Sequence, residues 1–269
     1  MKKIHSFFFT ILAAILVFGC ENKTAQNEAT QDQLINAVLW YQHAEEMQAI
    51  YYQSFNWAKY LLDQKMNEQE QEQDYAVIVD IDETMLDNSP YEAWCILNNE
   101  SYSSESWKKW TSQASADALP GAVAFTHFAD SLGVEVFYIS NRHISETDAT
   151  IENLIKEGFA FANREHLLLK DTTSNKDPRR NTVSNSHEIL LLMGDNLGDF
   201  DHVFDHRENQ NALKNVRAMK EKFGFQFIVL PNPMYGKWER AIVNDIPEGS
   251  THMDIRKKAL KSFTPSLEK

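Results

Sequence analysis

Residues 75–91, YAVIVDIDETMLDNSPY, constrain what this chain can fold into more than any other stretch. An apolar, β-branched run (Ala76, Val77, Ile78, Val79) leads into two aspartates one residue apart, Asp80 and Asp82. In an extended strand, side chains at i and i+2 point to the same face, so the run predicts two carboxylates aimed one way. Where a parallel strand of an open α/β sheet ends, its last side chains open into the crevice where such folds place ligands. Two carboxylates at that crevice can hold a divalent cation, or can divide nucleophilic and acid/base work. A bare Asp-x-Asp also marks an ordinary acidic strand-to-loop turn, so the rest of the chain decides its meaning.

Four more apolar runs follow: VEVFYIS (134–140), LLLK (167–170), ILLLMG (189–194) and QFIVL (226–230). Helical patterns separate them over 122–131, 146–156 (stopped by Gly158) and 211–223 (followed by Gly224). Strands alternating with helices predict an α/β fold, a Rossmann-like parallel sheet with helices on both faces. The unbroken ILLLMG run fits a strand covered on both sides. Residues 171–188 read as a polar loop carrying Lys176, Arg179 and Arg180, and the chain beyond Trp238 reads as a helical tail.

Two additions to the core, about 75–240, are legible. From Leu34 apolar residues recur mostly at spacings of three and four (Leu34, Ala37, Val38, Tyr41, Ala44, Met47, Tyr51, Phe55, Ala58, Tyr60, Leu61), predicting an amphipathic helical extension over 34–72. Its density of tyrosine and tryptophan fits packing on the core; a ligand-binding aromatic stripe is the other reading. Residues 92–118 carry Trp94, Trp107 and Trp110 among polar residues and predict a small cap insertion over the crevice.

The amino terminus differs in kind. Lys2 and Lys3 precede an apolar run over 6–18, too short for an ordinary membrane span, which stops at Gly19-Cys20. That pattern resembles a bacterial lipoprotein signal peptide over 1–19, with Cys20 lipidated, although Phe18 departs from the small residue usual there. Residues 20–33 read as a flexible tether, and 34–269 as the folded domain. The expected location is the outer membrane, facing the periplasm or the cell surface. Cleavage would remove two lysines and no acids, taking the net charge from −13 to −15. Such a charge argues against a nucleic-acid polymer as partner. With two cysteines in the whole chain, Cys20 and Cys95, no disulfide framework supports the fold.

Polar residues fall at the carboxyl ends of successive predicted strands: Asp80 and Asp82, Ser140 and Asn141, then Asp195 and Asp199. Such ends converge in space. The set holds what phosphoryl transfer requires: a carboxylate nucleophile, a second carboxyl for the leaving group, a third for a cation, and groups for phosphate oxygens. Residues 79–91, the I-S-N-R of 139–142 and the G-D-N-L-G-D-F of 194–200 resemble the haloacid dehalogenase superfamily, and within it the class C acid phosphatases, which are bacterial lipoproteins or secreted enzymes. The resemblance covers roughly residues 34–238.

It implies an Mg²⁺-dependent phosphomonoester hydrolase of broad 5′-nucleotide preference. Asp80 would form an aspartyl-phosphate, and Asp82 would protonate the leaving group and then activate water, which suits an acidic optimum. Asp80, Asp195 and the backbone carbonyl of Asp82 would hold Mg²⁺. Ser140, Asn141 and Lys176 would bind the phosphate, with Lys170 and Arg179 as alternatives to Lys176, and Asp199 would orient the metal shell or Lys176. Trp107 and Tyr235 match an aromatic pair that sandwiches a nucleotide base. Asp199 as a helix cap, and His202 with His206 as either metal ligands or part of a solvated acidic helix, are further readings of the residues. A phosphotransferase using the same intermediate, and a surface lipoprotein that binds haem or another nutrient, are the competing functions.

Overall fold

The computed structural model describes residues 23–68, 73–205, 211–243 and 246–263. Five strands form one sheet: β1 (Tyr75–Val79), β2 (Val134–His143), β3 (Leu167–Lys170), β4 (Glu188–Gly194) and β5 (Phe227–Val229). Their order is β3-β2-β1-β4-β5, and every neighbouring pair is parallel. The described helices are α1 (Lys23–His43), α2 (Glu45–Asn67), α3 (Ser89–Leu97), α4 (Ser104–Thr111), α5 (Ala122–Ser131), α6 (Thr147–Glu157), α7 (Asp177–Ser184), α8 (Asn211–Ala218), α9 (Lys237–Val243) and α10 (His252–Ala259).

β1 is central, and all five of its residues are buried, which is why YAVIV carries no polar alternation. Tyr75, Val77 and Val79 face one core, shared with Tyr51, Phe55 and Leu62 of α2 and with Phe125 and Ala129 of α5. Ala76 and Ile78 face a second core, with Val183 of α7 and the aromatic rings of Phe200, Phe204 and Phe227. The sheet is thus covered on both faces, as the strand–helix alternation requires.

The helical extension packs as its periodicity predicts. α2 buries Met47, Tyr51, Phe55, Ala58, Leu61 and Leu62. Tyr60 does not join them; at 53% exposure it lies outside with Trp57, on which it stacks at 5.2 Å. Phe55 sits against Gly121, where a φ of +88° favours glycine and an added methyl group would lie a tight 3.3 Å from the Phe55 side chain. Tyr51 ties the extension to the loop after β1: its hydroxyl donates to the Glu83 carbonyl at 2.6 Å and pairs with the Tyr41 hydroxyl at 2.5 Å.

Several expectations change. α1 begins at Lys23, so residues 23–33 are helical where a flexible tether was expected. The signal segment 1–19 and Cys20 lie outside the described residues. The supposed loop 171–188 contains α7, whose Asp-Pro start is a helix-initiation signal in an otherwise polar sequence. Among the described residues of the acidic stretch after Asp199, His202–Phe204 form a 3₁₀ turn; His206 lies outside the described residues. The cap insertion 92–118 corresponds to α3 and α4, although α3 begins earlier, at Ser89.

Tyr51→Phe leaves the buried Glu83 carbonyl without its donor. The variant should lose about 1–3 kcal/mol in urea denaturation, with an unchanged m-value; a loss below 0.5 kcal/mol (roughly the scatter of surface substitutions) would show that the contact carries no stability.

Candidate active site

Because all strands run parallel, their carboxyl ends share one edge of the sheet. Asp80 extends β1 by one residue, its N–H donating to the Met193 carbonyl at 2.9 Å. Its carboxylate meets the ammonium of Lys176, which also lies 2.7 Å from Asp199 Oδ1. Lys176 is the N-cap residue of α7 and is 4% exposed. Burial pulls this lysine down, but Asp199 and Asp80 outweigh it and hold it above its ordinary value. Asp199 belongs to the 3₁₀ turn Leu197–Asp199, where its Oδ2 accepts from Asn196 N–H at 2.9 Å; it caps that turn and holds Lys176 at once. Arg180 fixes the turn from below, donating to the carbonyls of Gly198 at 3.1 Å and Asp199 at 2.8 Å.

Asp195 follows β4 and accepts from Asn232 Nδ2 at 2.9 Å. Carboxylate oxygens of Asp80, Asp195 and Asp199 lie within 4.8 Å of one another. Burial raises Asp80 and Asp195 well above the ordinary carboxylate range, and their neighbours' negative charge raises them further; Lys176 opposes this at both. Three clustered carboxylates against one ammonium leave an excess of negative charge in a buried place. That donor set fits a divalent cation.

Asp82 has different partners. Its Oδ1 accepts from Arg142 Nε at 2.9 Å, Arg142 Nη2 at 2.8 Å and Asn88 Nδ2 at 3.0 Å. Its Oδ2 accepts from Ser140 Oγ at 3.2 Å. Ser140 is fully buried, and its hydroxyl is engaged with Asp82, while Asn141 stands exposed and accepts from Arg179 at 2.7 Å.

A cleft of about 610 Å³ opens over these groups. Asp80, Asp82, Lys176, Asn141, Trp107 and Tyr235 all line it. Trp107 meets Tyr91 edge-on, with centroids 5.1 Å apart, and the Arg142 guanidinium carbon lies 5.9 Å from its ring centre. Lys170 also lines the cleft. His202 lies apart from this cluster, paired with Asp177.

The family model described as HAD superfamily, subfamily IIIB (Acid phosphatase) matches residues 13–238. The chain belongs to this acid phosphatase family. A class C acid phosphatase from Bacillus anthracis, solved with tungstate bound, superposes with a TM-score of 0.82 at 41% identity, covering 87% of this chain and 99% of that one. A second structure of the Bacillus anthracis enzyme gives 0.80 at the same identity and coverage. The Stem 31 kDa glycoprotein of Glycine max is 27% identical over 164 residues, 59% of this chain and 58% of that protein. Acid phosphatase 1 of Solanum lycopersicum is 28% identical over 166 residues, 59% and 57% respectively. The alignments thus span less than two thirds of these curated plant relatives.

Within this acid phosphatase chain, sequence reasoning passed over the residues that hold the acids in place. Arg142, Asn88 and Asn232 stand inside the SNR, DNSPY and PNP segments, yet nothing in sequence says which carboxylate each will meet. Gly194 is legible only in three dimensions: a methyl group there would lie 2.4 Å from Asp199 Oδ2. Gly194→Ala should therefore destabilise by about 1–3 kcal/mol through overpacking. The Asp199 Cβ lies 2.5 Å from that methyl position, so only an Asp199→Gly background removes the clash; there the same substitution should cost less than half as much by urea denaturation, and equal costs would refute the clash.

Glu92 lines the cleft, and burial, with Glu239 adding, pushes it up to about 7. A carboxyl raised on folding contributes its full share below its unfolded value and loses it as pH rises through its folded value. Relative to Glu92→Gln, the native chain should hold steady below about pH 4.5 and lose up to about 3 kcal/mol across pH 5–8. Parallel melting curves for both chains across that range would refute it.

Proposed function

We propose that this chain is an Mg²⁺-dependent acid phosphatase that hydrolyses phosphomonoesters, 5′-nucleotides among them, through an aspartyl-phosphate on Asp80. The observation that carries this reading is the split between the two aspartates at the end of β1. Asp80 is held against Lys176 beside two further carboxylates, while Asp82 is held by a different set, Arg142, Asn88 and Ser140. This difference in partners supports reading Asp80 as the group that attacks phosphorus and Asp82 as the one that manages a proton.

In the first step Asp80 Oδ forms a bond to phosphorus as the bond to the leaving oxygen breaks, and Asp82 gives that oxygen a proton. In the second, water attacks the acyl phosphate, Asp82 takes its proton, and Asp80 is released as carboxylate. Lys176, with Ser140 and Asn141 nearby, offsets the negative charge of the phosphoryl oxygens. Asp80, Asp195 and the Asp82 backbone carbonyl would hold the cation, and hard oxygen donors in small number favour Mg²⁺. When bound, it supplies charge neutralisation between two anions that otherwise repel. The tungstate seen with the Bacillus anthracis relative is a tetrahedral oxyanion of the same kind as phosphate. Trp107 and Tyr235, both lining the cleft, offer faces on which a base can stack, worth roughly 1–3 kcal/mol per base. Lipidation of Cys20 would tether the enzyme to the outer membrane.

Hydrolysis of a nucleoside 5′-monophosphate near pH 5–6 should be abolished by EDTA and restored by Mg²⁺. Asp80→Asn should lower kcat by roughly a thousandfold or more and remove the acid-stable, hydroxylamine-sensitive phosphoenzyme caught by rapid quench. Activity that survives both EDTA and Asp80→Asn would overturn the reading.

A further inference from the structure

We propose that the cap insertion sets the orientation of Asp82, with Trp110 and Asn88 acting as positioning residues for its proton transfer; the proposal rests on the reading of Asp82 as general acid and base. The side chain of Asn88 is completely buried between Asp82 and the cap. Its Oδ1 accepts from Trp110 Nε1 of α4 at 2.8 Å, and its Nδ2 donates to Asp82 Oδ1 at 3.0 Å. An indole N–H can only donate. Arg142 Nη2 also donates to Asn88 Oδ1, at a longer 3.4 Å, so Trp110 is the nearer of two donors that fix which end of the Asn88 amide faces inward: a flipped amide would set N–H against N–H at the cap and oxygen against carboxylate at Asp82. The Asn88 backbone is held too, its N–H donating to buried Glu83 Oε1 at 2.8 Å.

The second holder of Asp82 Oδ1 is addressed by the same helix. Arg142 is 2% exposed, and Trp107, one turn before Trp110 on α4, lies over its guanidinium at 5.9 Å. Both donors to Oδ1 thus carry a tryptophan of the cap on their far side. α4 is itself anchored to the sheet: Thr111 Oγ1 donates to Glu146 Oε1 at 2.6 Å, and Glu146 Oε2 accepts from His143 N–H, the last residue of β2, at 2.7 Å. The cap and the acid are parts of one hydrogen-bonded assembly.

Proton donation matters in proportion to how poorly the alcohol leaves, which separates positioning of an acid from general damage. The measurement is kcat/KM, at fixed Mg²⁺, for p-nitrophenyl phosphate and for ethyl phosphate. This parameter covers only the steps up to phosphoenzyme formation, and the ratio of the two substrates cancels the fraction of folded enzyme. Trp110→Phe keeps a ring and deletes the N–H; it should leave the aryl ester within about twofold and slow the alkyl ester about five- to tenfold. Asn88→Ala should move the ratio the same way and further, and Asp82→Asn furthest of all. Equal losses on both esters in Trp110→Phe, or none, beside a steep ratio in Asp82→Asn, would overturn the proposal and leave the acid assignment standing. A flat ratio in Asp82→Asn would remove that assignment and the proposal with it.

Discussion

The site depends on a buried lysine shared between two carboxylates. Removing one member of a buried charge group leaves the others uncompensated, at a cost of about 3–5 kcal/mol, so Lys176 has to be delivered accurately. α7 does this. It docks on the second core through Val183, presents Lys176 at its first turn, and uses Arg180 to hold the carbonyls of Gly198 and Asp199. The same short helix therefore places the ammonium and the turn that bears its partner. The parallel sheet supplies the rest, because its strand ends bring residues 80, 195 and 232 to one edge although they are far apart in sequence.

Much of this was legible. The five strands, the covered sheet and the gathering of Asp80, Asp82, Ser140 and Asp195 at one edge follow from apolar runs that end in polar residues. Lys176 was readable only through resemblance, since α7 hides in a polar sequence that buries little besides Val183 and the arm of Arg180. Periodicity reports apolar burial, so it cannot register a helix docked by charge. It likewise found the buried stripe of α2 but included Tyr60, an apolar aromatic two residues after Ala58 and one before Leu61, which therefore falls off the face. The start of α1 within the supposed tether is the same failure reversed: a polar composition was equated with the absence of a helix.

The two aspartates show where periodicity stops being a guide to chemistry. Asp80 continues the face of Ala76 and Ile78 and is still in the ladder, but the chain leaves the strand there, and Glu83 adopts a φ of +57°. In an ideal strand Asp82 would repeat the surroundings of Asp80. Instead the turn hands it to β2 and the cap, where a buried arginine, an asparagine and a serine converge on it, while Asp80 remains with Lys176. Identical side chains two residues apart thus acquire different electrostatic partners because the backbone turns between them. That turn is braced by Tyr51 of the helical extension, which binds the Glu83 carbonyl. An element well before β1 in the sequence, whose spacing marks it only as outer packing, helps to make the two acids unlike.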